Sequence, residues 1–179
     1  MTILDRVQAR ISTAVNIAFD KEPLNYVEAA GLYGIILAGR QNVATLAVYY
    51  NQARDSDLKA LLKQAIDGQT EWLLNQAEKT LADGGNELPD LHFKKRALHD
   101  ALLDISEDAR FSDQEIVLAL ANMAKASQLA VLATMHQSYQ PYVARLYQDT
   151  LDDAFEFNYR LMQLALTKGW LPYQHKLKH

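Results

Sequence analysis

Hydrophobic positions recur at steps of three and four in four long stretches of this chain, residues 25–54, 56–83, 112–140 and 142–168. In the first, Ala29, Leu32, Ile36, Gly39, Val43, Leu46 and Tyr50 fall on one stripe, as expected of a helix with one buried face. Leu58, Leu62, Ile66, Gln69, Leu73 and Ala77 keep that rhythm in the second stretch. Val143, Tyr147, Thr150, Ala154, Phe157, Leu161 and Leu164 keep it in the fourth. The third contains the most apolar run, 116–135, broken by Asn122, Lys125, Ser127 and Gln128. Nothing alternates with period two, and turn signals fall only at the joints, so the pattern predicts an all-α chain.

The joints carry recognisable start and stop chemistry. Asn25-Tyr-Val-Glu28 and Ser112-Asp-Gln-Glu115 are capping boxes, in which two side chains satisfy backbone N–H groups reciprocally. Asp55 and Ser56 supply the cap between them. Gly84-Gly85 and Gly169 read as helix stops, and Pro141 can begin a helix but not continue one. The seven-residue rhythm of the first stripe suits nearly antiparallel neighbours.

The outer joints are short and the middle one, 84–111, is long. Two tight helical hairpins joined by one crossover make a ferritin-like four-helix bundle. The second and third helices then run parallel, and the two hairpins resemble a pseudo-repeat. A helix of about 27 residues is roughly 40 Å long, and the crossover can span it with a short helix over 94–105. Leu4, Val7, Ile11, Ala14 and Ala18 predict an extra N-terminal helix over 1–20, ended by the segment containing Pro23. Residues 25–168 are the bundle and 169–179 a tail, all within a single helical domain, 1–179.

Composition narrows the function classes. Half the residues are hydrophobic and 22% are charged, which excludes a disordered chain. The net charge of −4 gives no general attraction to phosphate backbones or anionic membranes. Lys94-Lys95-Arg96 is the dense basic run, and it lies in the crossover, where a solvated loop explains it. With no cysteine, disulfides and thiol chemistry are excluded and a cytoplasmic setting fits. Asp5, Arg6 and Arg10 interrupt any N-terminal signal core. The polar residues in 116–135 argue for a buried bundle helix rather than membrane insertion.

Several stretches resemble a known family. They are the capped opening Leu24-Asn-Tyr-Val-Glu28 with Leu32-Tyr33, then Arg54-Asp-Ser-Asp57-Leu-Lys at the first corner. Phe111-Ser-Asp113 precedes the third helix, and Leu166-Thr-Lys168-Gly169-Trp170 with Pro172 follows the last. Over residues 24–176 these are similar to the ferritin-like domain family of unknown function related to spore coat protein F. The resemblance implies a four-helix ferritin-like fold and brings no catalytic residue onto this sequence.

A ferritin-like bundle usually holds two metal ions with glutamates and two Glu-x-x-His motifs. This chain has no Glu-x-x-His. The first helix has no carboxylate after Glu28, which its cap engages. The second offers Asp67 and Glu71 without histidine, and the third offers no carboxylate after Glu115 and has His136 only near its far end. Asp149, Asp152, Asp153 and Glu156 line one stripe of the fourth, where a solvated face is the expectation. His92, His99, His175 and His179 read as surface residues of the crossover and tail, and His136 as a cation near a helix C-terminus.

Trp72, Tyr33, Tyr49, Tyr50, Tyr139, Tyr142 and Tyr147 read mostly as packing aromatics. No serine–histidine–aspartate spacing or phosphate loop is present. If the first corner lies at residues 55–56, Arg40 stands level with Glu71, and Ser127 and Glu156 lie near that level. An Arg40–Glu71 or Arg40–Glu156 pair is therefore expected at mid-bundle, a polar anchor where metals would otherwise sit.

Together these readings favour a non-catalytic interaction or structural protein, with no catalytic, cofactor or metal residues and no cofactor. A protein partner or self-association fits, without nucleic acid or membrane insertion. An unusual carboxylate site for metal or oxidase chemistry is the alternative. A third reading, a small-molecule site, rests on Gly31, Gly34, Gly39 and the alanine-rich third helix, whose small side chains permit either a cavity or close packing.

Overall fold

The computed structural model describes residues 23–171, and the predicted N-terminal helix and most of the tail lie outside them. Helix α1 is Tyr26–Gln52; α2, Ser56–Gln64, continues through a π-helical segment, Ala65–Thr70, into α3, Glu71–Asp83. These three pieces form the second bundle helix. Helix α4 is Asp113–His136 and α5 is Pro141–Thr167, with one 3-10 turn at Glu107–Ala109 before α4. No strand occurs among the described residues.

The caps form as the sequence dictates. Asn25 Oδ1 accepts from Val27 N and Glu28 N at 2.9 Å each, and Glu28 Oε2 accepts from Asn25 N at 3.2 Å. Ser112 and Glu115 close the second box, and Asp55 accepts from Asp57 N and Leu58 N. Gly85 and Gly169 take φ of 73° and 70°, so each helix ends in the left-handed step glycine tolerates.

Helix α4 stops about a turn earlier than its pattern predicts, at His136. Gln140 must be extended before Pro141, and residues 137–140 form the corner. That corner is held from another helix. Glu28 Oε1 accepts from Tyr139 N at 2.8 Å and from Gln140 N at 2.7 Å. At the opposite end, the Asp113 carboxylate accepts from Arg54 N at 2.8 Å and Asp55 N at 3.1 Å. The first turn of each hairpin thus caps the corner of the other, and the pseudo-repeat becomes a physical reciprocity.

The crossover travels the length of the bundle. It leaves Gly84 beside Leu24, passes Arg40 and Asn51, and delivers Asp113 to Arg54. The second and third bundle helices therefore run parallel, as expected. The short helix predicted within it does not form; residues 94–105 are irregular. Side chains of the helices satisfy its backbone instead. Buried Asn51 donates to Ala97 O at 2.9 Å and accepts from His99 N at 2.8 Å, while Lys59 Nζ reaches the carbonyls of His99 and Asp100.

The core forms two clusters. Leu46, Leu58, Leu62, Ile116, Leu120 and Phe157 belong to the one at the Asp55 end. Leu32, Ile36, Leu81, Val131, Val143 and Tyr147 belong to the one at the Glu28 end. The predicted stripes supply most of both. Gly31 makes close helix packing possible: a Cβ there would stand 2.3 Å from Thr134 Cγ2 of α4.

Candidate functional site

Between the two clusters, at mid-bundle, lies a cavity of about 130 Å³. Its apolar wall includes Ile35, Leu74, Leu120, Val131, Leu151 and Phe157 from all four bundle helices. Gly39, Ala65, Ala124 and Ala154 bring small side chains to the same level, and the π segment contributes Ala65 and Thr70. A π turn inserts a residue into the helical register and recurs at functional sites. Ala38 and Ala130 line the cavity and are exposed, which places its opening between α1 and α4.

One side of the cavity is polar. Asn42 Nδ2 donates to Ser127 Oγ at 3.3 Å. Gln128 Nε2 donates to Ala154 O at 3.0 Å, and its Oε1 accepts from Asn158 at 3.1 Å. No carboxylate or imidazole lines the cavity. Amide and hydroxyl donors are not the anionic, bridging set a two-metal centre needs, so these residues do not fit one. Among the described residues, no three His, Asp or Glu side chains gather around a common point.

The carboxylates named from the sequence lie elsewhere. Asp67 pairs with Lys63 at 2.5 Å, Glu71 faces Lys95 at 3.7 Å, and Asp149 pairs with Arg145 at 2.9 Å. Asp152, Asp153 and Glu156 are exposed along the fourth helix, so the solvated face is what forms. His92, His99 and His136 are exposed; His175 and His179 lie outside the described residues. Packing accounts for Tyr50 and Tyr147, whereas Tyr33, Trp72 and Tyr139 project into solvent.

The expected Arg40 pair is corrected. Arg40 bonds neither Glu71 nor exposed Glu156. Its Nε donates to Glu78 at 3.0 Å, and its Nη1 donates to the carbonyls of Pro89 and Leu91 at 2.5 and 2.9 Å. Equal height along the axes holds for backbones: Gly39 faces Leu74. Side chains, however, lean toward the N-terminus of their own helix. In an antiparallel pair Arg40 leans toward the Gly84 end and Glu78 leans up to meet it, while Glu71 leans away. Arg40 is thus a strut pinning the crossover, its side chain only 10% exposed.

Three polar residues also prove central in roles that no motif signals. Glu28 is 1% exposed, because it serves two helix starts at once. Tyr147 is fully buried, with no hydrogen-bond partner for its hydroxyl. Burial, with a smaller contribution from the Glu28 charge, pushes that phenol well above its ordinary range. Asn51, buried under the crossover, carries no sequence signal beyond its place one residue past the Tyr50 stripe.

The outer surface is unusual for a bundle. The helix ending at His136 has a window apolar and long enough to cross a membrane by composition alone, yet only 22% of that window is buried. Leu118, Leu129 and Leu132 are exposed on it. On α5, Phe155, Tyr159, Met162 and Leu166 form a stripe at steps of four, three and four, each 46–59% exposed.

Comparison with known proteins agrees with this architecture. The model of the family "protein of unknown function (DUF3231)" matches residues 12–174. The uncharacterised protein YvdQ of Bacillus subtilis is 28% identical over 160 residues, covering 88% of this chain and 92% of its own. The crystal structure of a candidate spore coat protein from Bacillus halodurans superposes with a TM-score of 0.81 at 25% identity, over 88% of this chain and 98% of that one. A two-domain protein from Anabaena variabilis, with DJ-1/ThiJ/PfpI-like and ferritin-like domains, matches at a TM-score of 0.63 and 16% identity. That match covers 85% of this chain and 40% of the other, and it speaks to fold alone. The resemblance read from the capped opening and the final Lys168-Gly169-Trp170 stop agrees with these matches: this chain is ferritin-like in fold and belongs to the DUF3231 family.

Proposed function

We propose that this protein is a non-catalytic structural component that works through its surface, assembling with copies of itself and carrying no di-iron centre. The observation that carries the reading is the exposed apolar stripe Phe155, Tyr159, Met162 and Leu166 on α5, with Leu118 exposed on the adjoining α4. Contiguous exposed apolar area on a globular protein marks an interaction surface. A stripe at heptad-like spacing is also self-complementary, which suits an isologous contact. The apolar and amide lining of the mid-bundle cavity supports the non-catalytic part. The Bacillus halodurans relative, described as a candidate spore coat protein, fits a structural role. With no cysteine and a net charge of −4, a cytoplasmic protein with no nucleic-acid partner is the setting that fits.

Light scattering of the full chain across a concentration range tests this reading. Wild type should assemble, and Phe155→Glu with Met162→Glu should return it to monomers without loss of helicity. A wild type that stays monomeric throughout, or a charged variant that assembles equally well, contradicts it.

A further inference from the structure

The mid-bundle cavity plays no part in the surface reading, and its size and chemistry point to a ligand. At about 130 Å³ it is near the size of apolar cavities, roughly 150 Å³, that take up benzene. Its walls are chiefly aliphatic, with Phe157 and Met123 adding polarisable surface. It persists because small residues meet there from all sides: Gly39 from α1, Ala65 from the π segment, Ala124 from α4 and Ala154 from α5. Ala38 and Ala130 are the exposed small residues of the lining on α1 and α4.

The polar side has unused capacity at one point. The Gln128 amide is engaged by Ala154 and Asn158. Asn42 and Ser127 share a single long hydrogen bond of 3.3 Å, which leaves a second amide N–H, an amide oxygen and a hydroxyl proton available. No charged side chain lines the cavity, so a carboxylate or ammonium inside would be desolvated without compensation.

We infer that this cavity is a binding site for a small neutral molecule of about one aromatic ring bearing a single hydroxyl or amide group. The ring occupies the apolar wall, and the polar atom meets Asn42 and Ser127. Entry is between α1 and α4.

The test uses the full chain with phenol, benzene and benzoate as probes, read by thermal unfolding and titration calorimetry. Phenol and benzene should raise Tm in proportion to the logarithm of their concentration once above Kd, and benzoate should leave it unchanged. Ser127→Ala should weaken phenol roughly threefold to tenfold, the effect of one lost hydrogen bond, and leave benzene unaffected. Ala124→Leu fills the cavity and should abolish both responses. No shift with phenol or benzene at millimolar concentration overturns the inference, as do undiminished shifts in Ala124→Leu. If Ala124→Leu does not fold, Ser127→Ala decides: phenol binding unchanged there overturns the placement.

Discussion

Glu28 offers the sharpest test of how the bundle is locked. Its Oε1 accepts two backbone N–H groups of the second corner at 2.8 and 2.7 Å, and its Oε2 accepts Asn25 N at 3.2 Å, all with the residue 1% exposed. Glu28→Ala removes the carboxylate these donors share, at a corner where the Gln140 N–H bond is buried and the other two are part-buried. A hydrogen bond to a charged group contributes about 1.5–3 kcal/mol, and the two short ones dominate, so the loss should be about 3–5 kcal/mol. Against a total of about 5–15 kcal/mol for a domain, that is a large fraction. Glu28→Gln keeps the volume and one acceptor oxygen for both corner amides, and should cost only about 1–2 kcal/mol. Urea unfolding at neutral pH, followed by far-UV circular dichroism, gives both values. Hydrogen exchange at Tyr139 and Gln140 adds a local readout, since their protection should collapse first in Glu28→Ala. A loss below about 1 kcal/mol in Glu28→Ala, or unchanged protection of those amides, would refute the double cap.

The glycines of α1 should separate by sign. Gly31→Ala drives a methyl against Thr134, whose hydroxyl is tied to Ala130 O at 2.8 Å, and should cost about 1–2 kcal/mol net. Gly39→Ala meets Leu74 at an ordinary 3.4 Å and should gain up to about 1 kcal/mol from helix propensity; denaturant midpoints in the opposite order would sink the packing argument. Tyr147→Phe removes a buried hydroxyl with no partner and should be neutral or stabilising by up to about 1 kcal/mol, where a loss of that size would reveal a partner. Burial alone would raise the Asp55 carboxyl, but the Lys168 ammonium at 2.6 Å and the N–H groups of Leu58 and Asp57 outweigh it and hold the carboxyl below its ordinary value. A depressed folded-state value stabilises the fold above the unfolded-state value and ceases to do so as pH falls through the folded one. The stability gap between wild type and Lys168→Met should therefore be widest near neutrality and close below about pH 3; a gap independent of pH counts against the pair.

Much of the fold was legible because its signals are local. Capping boxes at Asn25 and Ser112, the Gly85 and Gly169 stops and Pro141 each act within one turn, and the stripe of Leu32, Ile36, Leu46 and Tyr50 directly reports the buried face. What stayed hidden depends on contacts between distant segments. The π segment at Ala65–Thr70 has no motif, and Gly68 within it reads equally as a tolerated helix glycine. The crossover stays irregular because Asn51, Lys59 and Arg40 satisfy its backbone from outside, which removes the need for a helix there. Glu28 signals a cap within its own turn, but its second role needs the α4–α5 corner in place. The Arg40 pairing failed on side-chain direction rather than on backbone height, since Glu78 and not Glu71 leans toward it. The small residues of α1 permitted either a cavity or close packing, and both occur: packing at Gly31, a cavity at Gly39.

Elemental analysis of the untagged full chain, produced in iron- and manganese-supplemented medium, tests the central claim most directly. Absence of a tag matters because added histidines bind metal themselves. A bundle whose mid-level is lined by Asn42, Ser127, Gln128 and aliphatic side chains should carry far less than one transition metal per chain. About two irons or manganeses per chain, the stoichiometry of a di-iron carboxylate bundle, lost on Glu71→Gln or Glu156→Gln, would contradict it.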